Sequence, residues 1–472
     1  MTRTRTTTAA LACALLGATL SVTATPSAGA AATTCQGRPV TVVGTGTEGD
    51  DVLLVEAVPD AGPTAYDGKG GDDLICIRSG LQDEIYTITV SAGAGDDTVV
   101  NEVSDDDVWV TTVLGAGSDT YVGLDRAIPD DPKASPFHET VFAGEHDLTH
   151  AGLGETLDTE PDTIDTGAGE DVVHSGSTAP GATNGDVVRL GPGADRLSWG
   201  GEQTGVLDTG AGGDHLEVHP GWQGTDVAVD AAAGVATVDG RSVLRWTGEV
   251  ATYTLMLDNP VVSFVGSDAD ESLYLSAAAS TPPAAGTGRR SVSMGAGDDH
   301  LRLGVRGSGS VDGGPGRDTY SSTGCGRAHV TFGGSFVCTP SDEQSTYAFA
   351  FDRWEDLLVG GGAVTVVGSP RAEKVKVVAT RIRVRGLGGD DVLNANAVQG
   401  PGRPVVLSGG RGDDRVVGSY ARDRLLGGRG DDKLFGDSRG DDILGGPGRD
   451  RAFGQHGRDR CVAEERRSCE RR

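Results

Sequence analysis

Six glycines spaced nine residues apart, Gly409, Gly418, Gly427, Gly436, Gly445 and Gly454, constrain this chain more than anything else in it. Written in nines, the stretch 409–462 reads GGRGDDRVV, GSYARDRLL, GGRGDDKLF, GDSRGDDIL, GGPGRDRAF and GQHGRDRCV. The half-unit G-G-x-G-x-D must turn sharply, because glycine allows positive φ and close packing of successive turns. The remaining x-U-x has room only for a three-residue strand whose single inward side chain is U. In five units U is Val416, Leu425, Leu434, Ala452 and Cys461, so an apolar file should run up a stack of coils. The sixth-position carboxylates, read as Asp414, Asp423, Asp432, Asp442, Asp450 and Asp459, would recur at one height in each coil. Stacked coils set such groups about 4.8 Å apart, a repulsive row unless cations lie between them. Two irregularities interrupt the pattern. Ala421 replaces a turn glycine, and the unit holding Gly440-Asp441-Asp442 reads as arriving one residue late.

The unit matches the nonapeptide G-G-x-G-x-D-x-U-x, and the chain resembles the RTX (haemolysin-type) calcium-binding family. The resemblance is strong over the last sixty residues and weak over most of the remainder. It implies a parallel β-roll that takes up several calcium ions and folds as it does so. The ligands it implies are the sixth-position carboxylates, their neighbours Asp413, Asp431 and Asp441, and the turns of Gly409, Gly410, Gly412, Gly427, Gly428, Gly430, Gly445, Gly446 and Gly448. Oxygen ligands suit a hard cation, and extracellular calcium sites have dissociation constants of about 10⁻⁴–10⁻³ M. Binding would then act as a switch that supplies folding free energy after export. Toxin-type RTX proteins use an uncleaved C-terminal export signal, whereas this chain has an N-terminal one; toxin activity is therefore not carried over.

A reduced signature, G-x-D-x-U, extends the pattern through the body at Asp51, Asp73, Asp97, Asp119, Asp171, Asp195, Asp214, Asp299, Asp318 and Asp391. Between these turns lie alternating segments such as Tyr86-Thr87-Ile88-Thr89-Val90, the mark of short strands with one buried face. Isolated turns lack a neighbour nine residues away, so they are either calcium turns with less complete coordination or solvated turn residues. Val40-Thr41-Val42-Val43-Gly44 recurs at 364–368 and loosely at 261–266; the last two copies share Ser267/Ser369 and Glu271/Glu373. Trp-containing strands precede both, near Trp246 and Trp354. The expected fold is all-β: a parallel β-solenoid of wider coils ending in a calcium-binding parallel β-roll. We divide the chain into a signal peptide (1–30), an acidic solenoid (31–220), a second module with a stapled excursion (221–340), a third module (341–400), the nonapeptide roll (401–460) and a C-terminal cap (461–472).

Composition supports a solenoid over a layered core: 75 glycines, with only 5% aromatic residues. The net charge of −29 is uneven. Residues 371–472 hold 22 Lys+Arg and 16 Asp+Glu, net +6, which leaves 18 and 53, net −35, for the remainder. The acidic body disfavours nucleic acid. The basic end could touch cell wall or another anionic extracellular polysaccharide, although turn arginines are more often solvated. Arg3 and Arg5, the apolar run 9–22 and Ala28-Gly29-Ala30 form a cleavable secretory signal, and no later run is long enough to span a membrane. Removing Cys13 with it leaves six cysteines, which allow fifteen pairings. Proximity favours Cys35–Cys76, Cys325–Cys338 and Cys461–Cys469.

Catalytic signatures are missing. The pairs His146/His150 and His215/His219 are not H-E-x-x-H on a helix, and cross-strand histidines are the better reading than a zinc site. No nucleophile elbow or P-loop occurs. Acid groups such as Asp105-Asp106-Asp107 and Asp268-Asp270-Glu271 leave a polysaccharide lyase or hydrolase open, since two correctly spaced carboxyls suffice. The leading expectation is an extracellular calcium-binding protein with a structural or surface role and no catalysis. Its rivals are a calcium-dependent adhesin or glycan-binding module and, further off, a β-helix polysaccharide-active enzyme.

Overall fold

A computed structural model describes residues 34–56, 64–78, 86–103, 108–123, 137–143, 160–219, 221–257, 259–276, 288–304, 307–341, 346–395 and 405–470. The signal segment, His146/His150, the acid run 105–107 and most of the loops at 126–140 and 277–290 lie outside them. Among the described residues every named element is a strand, and no helix is long and apolar enough to cross a membrane.

The chain winds as a parallel solenoid with two sheet faces. One face is continuous: Thr64–Asp67, Tyr86–Ala94, Val108–Ala116, Phe137–Phe142 and Glu170–Ser175 stack in parallel register. Arg196–Trp199, Asp214–Val218 and Val250–Met256 continue it, and it ends at Lys433–Phe435, Arg451–Phe453 and Glu465–Arg467. The opposite face begins with eight parallel strands from Val42–Val43 to Val206–Asp208. The long strands Thr319–Thr331, Asp356–Val367 and Lys374–Arg385 bend from one face to the other: their first halves extend the continuous sheet and their second halves the opposite one. Antiparallel excursions interrupt this winding at Asp226–Asp230 with Val235–Val238, and at Gly334–Pro340.

Alternation explains which side chains enter the lumen. In Val108–Ala116, Val108, Val110 and Thr112 are buried while Trp109 is exposed. The wide coils admit bulky fillers, and Tyr121, Trp199, Tyr253, Phe264, Tyr320, Phe336, Phe349 and Phe351 are all fully buried. Trp246 and Trp354 are buried as well. In the roll each unit buries its U side chain, Val416, Leu425, Leu434, Ile443, Ala452 or Cys461. Three disulfides, Cys35–Cys76, Cys325–Cys338 and Cys461–Cys469, form the pairing that proximity predicts.

Candidate metal centre

Each turn delivers one buried carboxylate to the junction between two coils. In the roll, the Asp391 N–H donates to Asp414 Oδ1 at 2.9 Å, Asp414 to Asp432 at 2.8 Å and Asp432 to Asp450 at 3.0 Å. Glu464 closes this row by accepting from the Asp450 N–H at 2.9 Å. A second row runs along the opposite edge. Asp423 donates to Asp441 at 2.8 Å, Asp441 to Asp459 at 2.9 Å, and Asp459 to Glu470 at 3.0 Å. Within the nonapeptides the step is 18 residues. A unit therefore stacks on the next but one, and successive units lie on opposite edges.

Two sequence readings are corrected by this geometry. The unit opened by Gly436 keeps its register: Asp441 holds the buried sixth position and Ile443 is its U residue. Asp437 (φ 77°) and Arg439 (φ 72°) adopt the left-handed backbone that glycines supply elsewhere, so nothing arrives late. Asp442 instead opens the strand Asp442–Leu444, and its carboxylate meets Arg460 at 3.4 Å. The body turns are not isolated either, because the relevant neighbour is one coil away rather than nine residues away.

Body rows use the same contact. Asp51, Asp73, Asp97, Asp119, Asp162 and Asp186 form one chain of N–H to Oδ1 bonds of 2.8–3.0 Å. Asp171, Asp195 and Asp214 form another. Glu271, Asp299, Asp318 and Glu355 form a third, and Glu373 joins Asp391 at the head of the roll. All ten carboxylates of the reduced signature thus stand in rows. Five members escaped it: no glycine stands two residues before Asp162 or Asp186, while Glu271, Glu355 and Glu373 are glutamates. The shared Glu271/Glu373 of the duplicated segments was the available signal.

Four of the rows start where a hydroxyl four residues earlier holds the first carboxylate. Thr47 donates to Asp51 through N–H at 2.7 Å and Oγ1 at 2.8 Å. Ser267 and Ser369 hold Glu271 and Glu373 with both N–H and hydroxyl. Ser419 holds Asp423 the same way, so the deviant unit GSYARD supplies from its own side chain what the other turns leave unmet. Those others keep a bare oxygen. Oδ2 of Asp97, Asp119, Asp195, Asp299, Asp414, Asp432 and Asp441 is buried without a hydrogen-bond partner.

Burial with no counter-charge penalises the ionised form. From the ordinary 3.8, desolvation raises Asp432 to about 7, with help from Asp414 and Asp450 above and below it. Asp441 is pushed to about 8 by desolvation and by Asp423 and Asp459. The body responds alike: Asp97 and Asp119 rise to about 7 and Asp195 to about 8, again mainly through desolvation. Asp51 is held below 3.8 instead, because Thr47 satisfies it. A second, exposed row runs in the opposite sense through the first Asp of each pair: the Asp431 N–H donates to Asp413 Oδ1, and the Arg449 N–H to Asp431 Oδ1.

The glycines make the cradle. A Cβ on Gly427 would lie 2.3 Å from Asp432 Oδ2, and one on Gly428 would lie 2.0 Å from the Gly410 carbonyl oxygen of the coil below. Gly409 and Gly445 face Asp414 and Asp450 as Gly427 faces Asp432. Gly410, Gly412, Gly430, Gly446 and Gly448 hold positive φ between 122° and 150°. Among the described residues no three His, Cys, Asp or Glu side chains gather as a metal cluster. A cation beside a bare Oδ2 must therefore fill its sphere with turn carbonyls, and an all-oxygen set suits a hard cation such as calcium. His215 and His219 instead meet Thr254 Oγ1 at 2.8 Å and Ser198 Oγ at 2.5 Å.

Rows of desolvated carboxylates at glycine turns define this protein as a β-solenoid whose turn edges present all-oxygen donor sets. Residues 158–178, 408–438 and 435–465 match the RTX calcium-binding nonapeptide repeat, in four copies. The chain carries the repeats of the RTX family, and calcium is the ion those repeats bind. No curated protein matches it.

Proposed function

We propose that this is a secreted calcium-binding protein, exported by a cleavable signal at 1–30, whose roll folds on extracellular calcium and serves a structural or cell-surface role. The observation that carries the reading is the file of bare, desolvated Oδ2 atoms at glycine turns. Asp414, Asp432 and Asp450 on one edge, with Asp441 and Asp459 on the other, would hold the ions together with turn carbonyls. Asp423 is already satisfied by Ser419 and takes no ion of its own. The body turns at Asp73, Asp97, Asp119, Asp195 and Asp299 are further sites of the same kind, and Asp171, Asp214, Asp318 and Asp391 continue their rows. Three disulfides suit an oxidising compartment.

We assign no reaction. Ser198, His219 and Glu217 come together, but all three are buried. Glu217 Oε1 approaches the same Nε2 that meets Ser198, at 3.7 Å, rather than orienting the ring from Nδ1 as an acyl-transfer triad requires. Far-UV circular dichroism during a calcium titration, with magnesium as control, tests the reading. A cooperative gain of β signal at millimolar calcium is expected; a spectrum already β-rich in chelator and indifferent to calcium rejects it.

A further inference from the structure

The fold sorts the charges of the C-terminal segment more sharply than its composition does. Of the 16 acidic residues in 371–472, eight are buried in rows: Glu373, Asp391, Asp414, Asp423, Asp432, Asp441, Asp450 and Asp459. Eight acids remain at or near the surface. Of the 22 basic residues, Arg403, Arg471 and Arg472 lie outside the described residues, and none of the other 19 is buried. The surface of the roll is therefore strongly cationic, and calcium on the buried carboxylates would leave it more so.

Both sheet faces carry outward cations. On the continuous face Lys374 and Arg451 have acidic partners, and Arg415 and Arg467 lie over Phe435 and Phe453. The other face carries arginines that are mostly unpaired. Parallel register places Arg383, Val406, Arg424, Asp442 and Arg460 in one outward row. Arg385 opens the adjacent outward row, which continues as Ser408, Leu426, Leu444 and Val462. Arg422 and Arg458 stand two residues before Arg424 and Arg460, at the turn edge. All six arginines are exposed. Arg460 alone has an acidic partner, Asp442; the other five make no ion pair among the described residues. Arg383, Arg424 and Arg460 recur every second strand, about 9.6 Å apart at a strand spacing of about 4.8 Å.

We propose that this arginine face docks a linear acidic polysaccharide. A parallel sheet face with cations at regular intervals fits a polymer with anionic groups at regular intervals, and the guanidinium fork matches carboxylate and sulfate geometry. Single-stranded nucleic acid fits less well, because its binders stack bases on aromatic rings, and the roll's stacked pair Phe435–Phe453 lies on the opposite face. A second copy of the chain would bring two bodies of net −35 together. The proposal rests on the reading that calcium folds the roll, and names its partner.

The test is retention of the full, calcium-loaded chain on immobilised hyaluronan, with neutral dextran as reference, in low and high salt. We expect binding to hyaluronan alone, falling with salt. The triple variant Arg383→Gln, Arg422→Gln, Arg424→Gln should weaken it on the order of tenfold, each exposed ion pair contributing a factor of a few. Lys433→Gln, on the opposite face, should leave it unchanged. Circular dichroism in calcium accompanies every variant, so loss of fold is told apart from loss of binding. Equal retention of the triple variant, equal binding to dextran, or no retention of a folded chain overturns the proposal. So does a calcium-dependent dimer, seen by sedimentation without polysaccharide, that the same triple variant dissolves. If the roll proves folded in chelator, the calcium reading fails by itself, and retention measured there decides between the same outcomes.

Discussion

The body and the roll are built on the same row of carboxylates but hold it in different surroundings. In the body a coil of 19–28 residues, longer where loops intervene, carries one or two such turns and closes over aromatic fillers, Tyr121, Trp199, Tyr253 and Tyr320 among them. In the roll an 18-residue coil carries two turns and encloses two aliphatic side chains, for example Leu425 and Leu434. Hydrophobic stabilisation scales with apolar area buried, so the roll has far less to set against the cost of burying ionised oxygens. On the proposed reading the same motif is a tolerated burden in one region and the determinant of folding in the other.

Removing calcium should separate the two regions most. Hydrogen exchange in chelator is expected to show residues 405–470 unprotected while strands such as Val108–Ala116 and Val250–Met256 stay protected. Loss of protection in both at once would abolish the distinction.

Protons should partly replace the metal. The roll's carboxylates are raised in the folded state, so their contribution is complete below the ordinary 3.8 and is lost as pH climbs through about 6 at Asp414 to about 8 at Asp441. Denaturant melts in chelator should therefore show a roll most stable near pH 4 and weakest near pH 8. Calcium competes with those protons, so its affinity should rise over the same interval.

Asp432→Asn sharpens the comparison further. The amide oxygen can still accept from the Asp414 N–H, while the buried charge is gone. The variant roll should be more stable in chelator and lose much of its calcium response. Asp432→Ala also orphans the Asp414 N–H and should cost roughly 1–3 kcal/mol. Asp97→Asn in the body should leave the calcium-induced spectral change intact, and a matching loss there would place the switch in the body.

Smaller effects belong to the ends and the irregular turn. Replacing Cys461 and Cys469 by serine opens a loop of eight residues' separation and should lower stability by about 2–3 kcal/mol. Exchange should locate that loss in the last coil, and a loss reaching Val108–Ala116 would show the regions to be one cooperative unit. Arg439→Gly relieves a left-handed arginine and should stabilise the roll by about 0.5–1 kcal/mol, read as a higher denaturation midpoint.

By itself the sequence determined the parallel coil and its turn chemistry. A nine-residue spacing of glycine and aspartate permits a sharp turn and a three-residue strand and little else, and alternation marked the body strands. Cysteine proximity was enough to pair all three disulfides. Stacking was decided only by the tertiary structure, because the neighbour that matters lies 18 residues away in the roll and up to 43 away in the body. That distance is why Asp442 looked like a ligand and Asp441 its companion. An out-of-register glycine suggested a slip, whereas Arg439 absorbs the left-handed turn and keeps Asp441 in the row. It is also why Asp162 and Asp186 were invisible: each is defined by the N–H of an earlier coil, not by its own neighbours. The sign of the roll's surface had the same origin. Composition counts every aspartate, but only the fold buries half the acids and leaves the arginines outside.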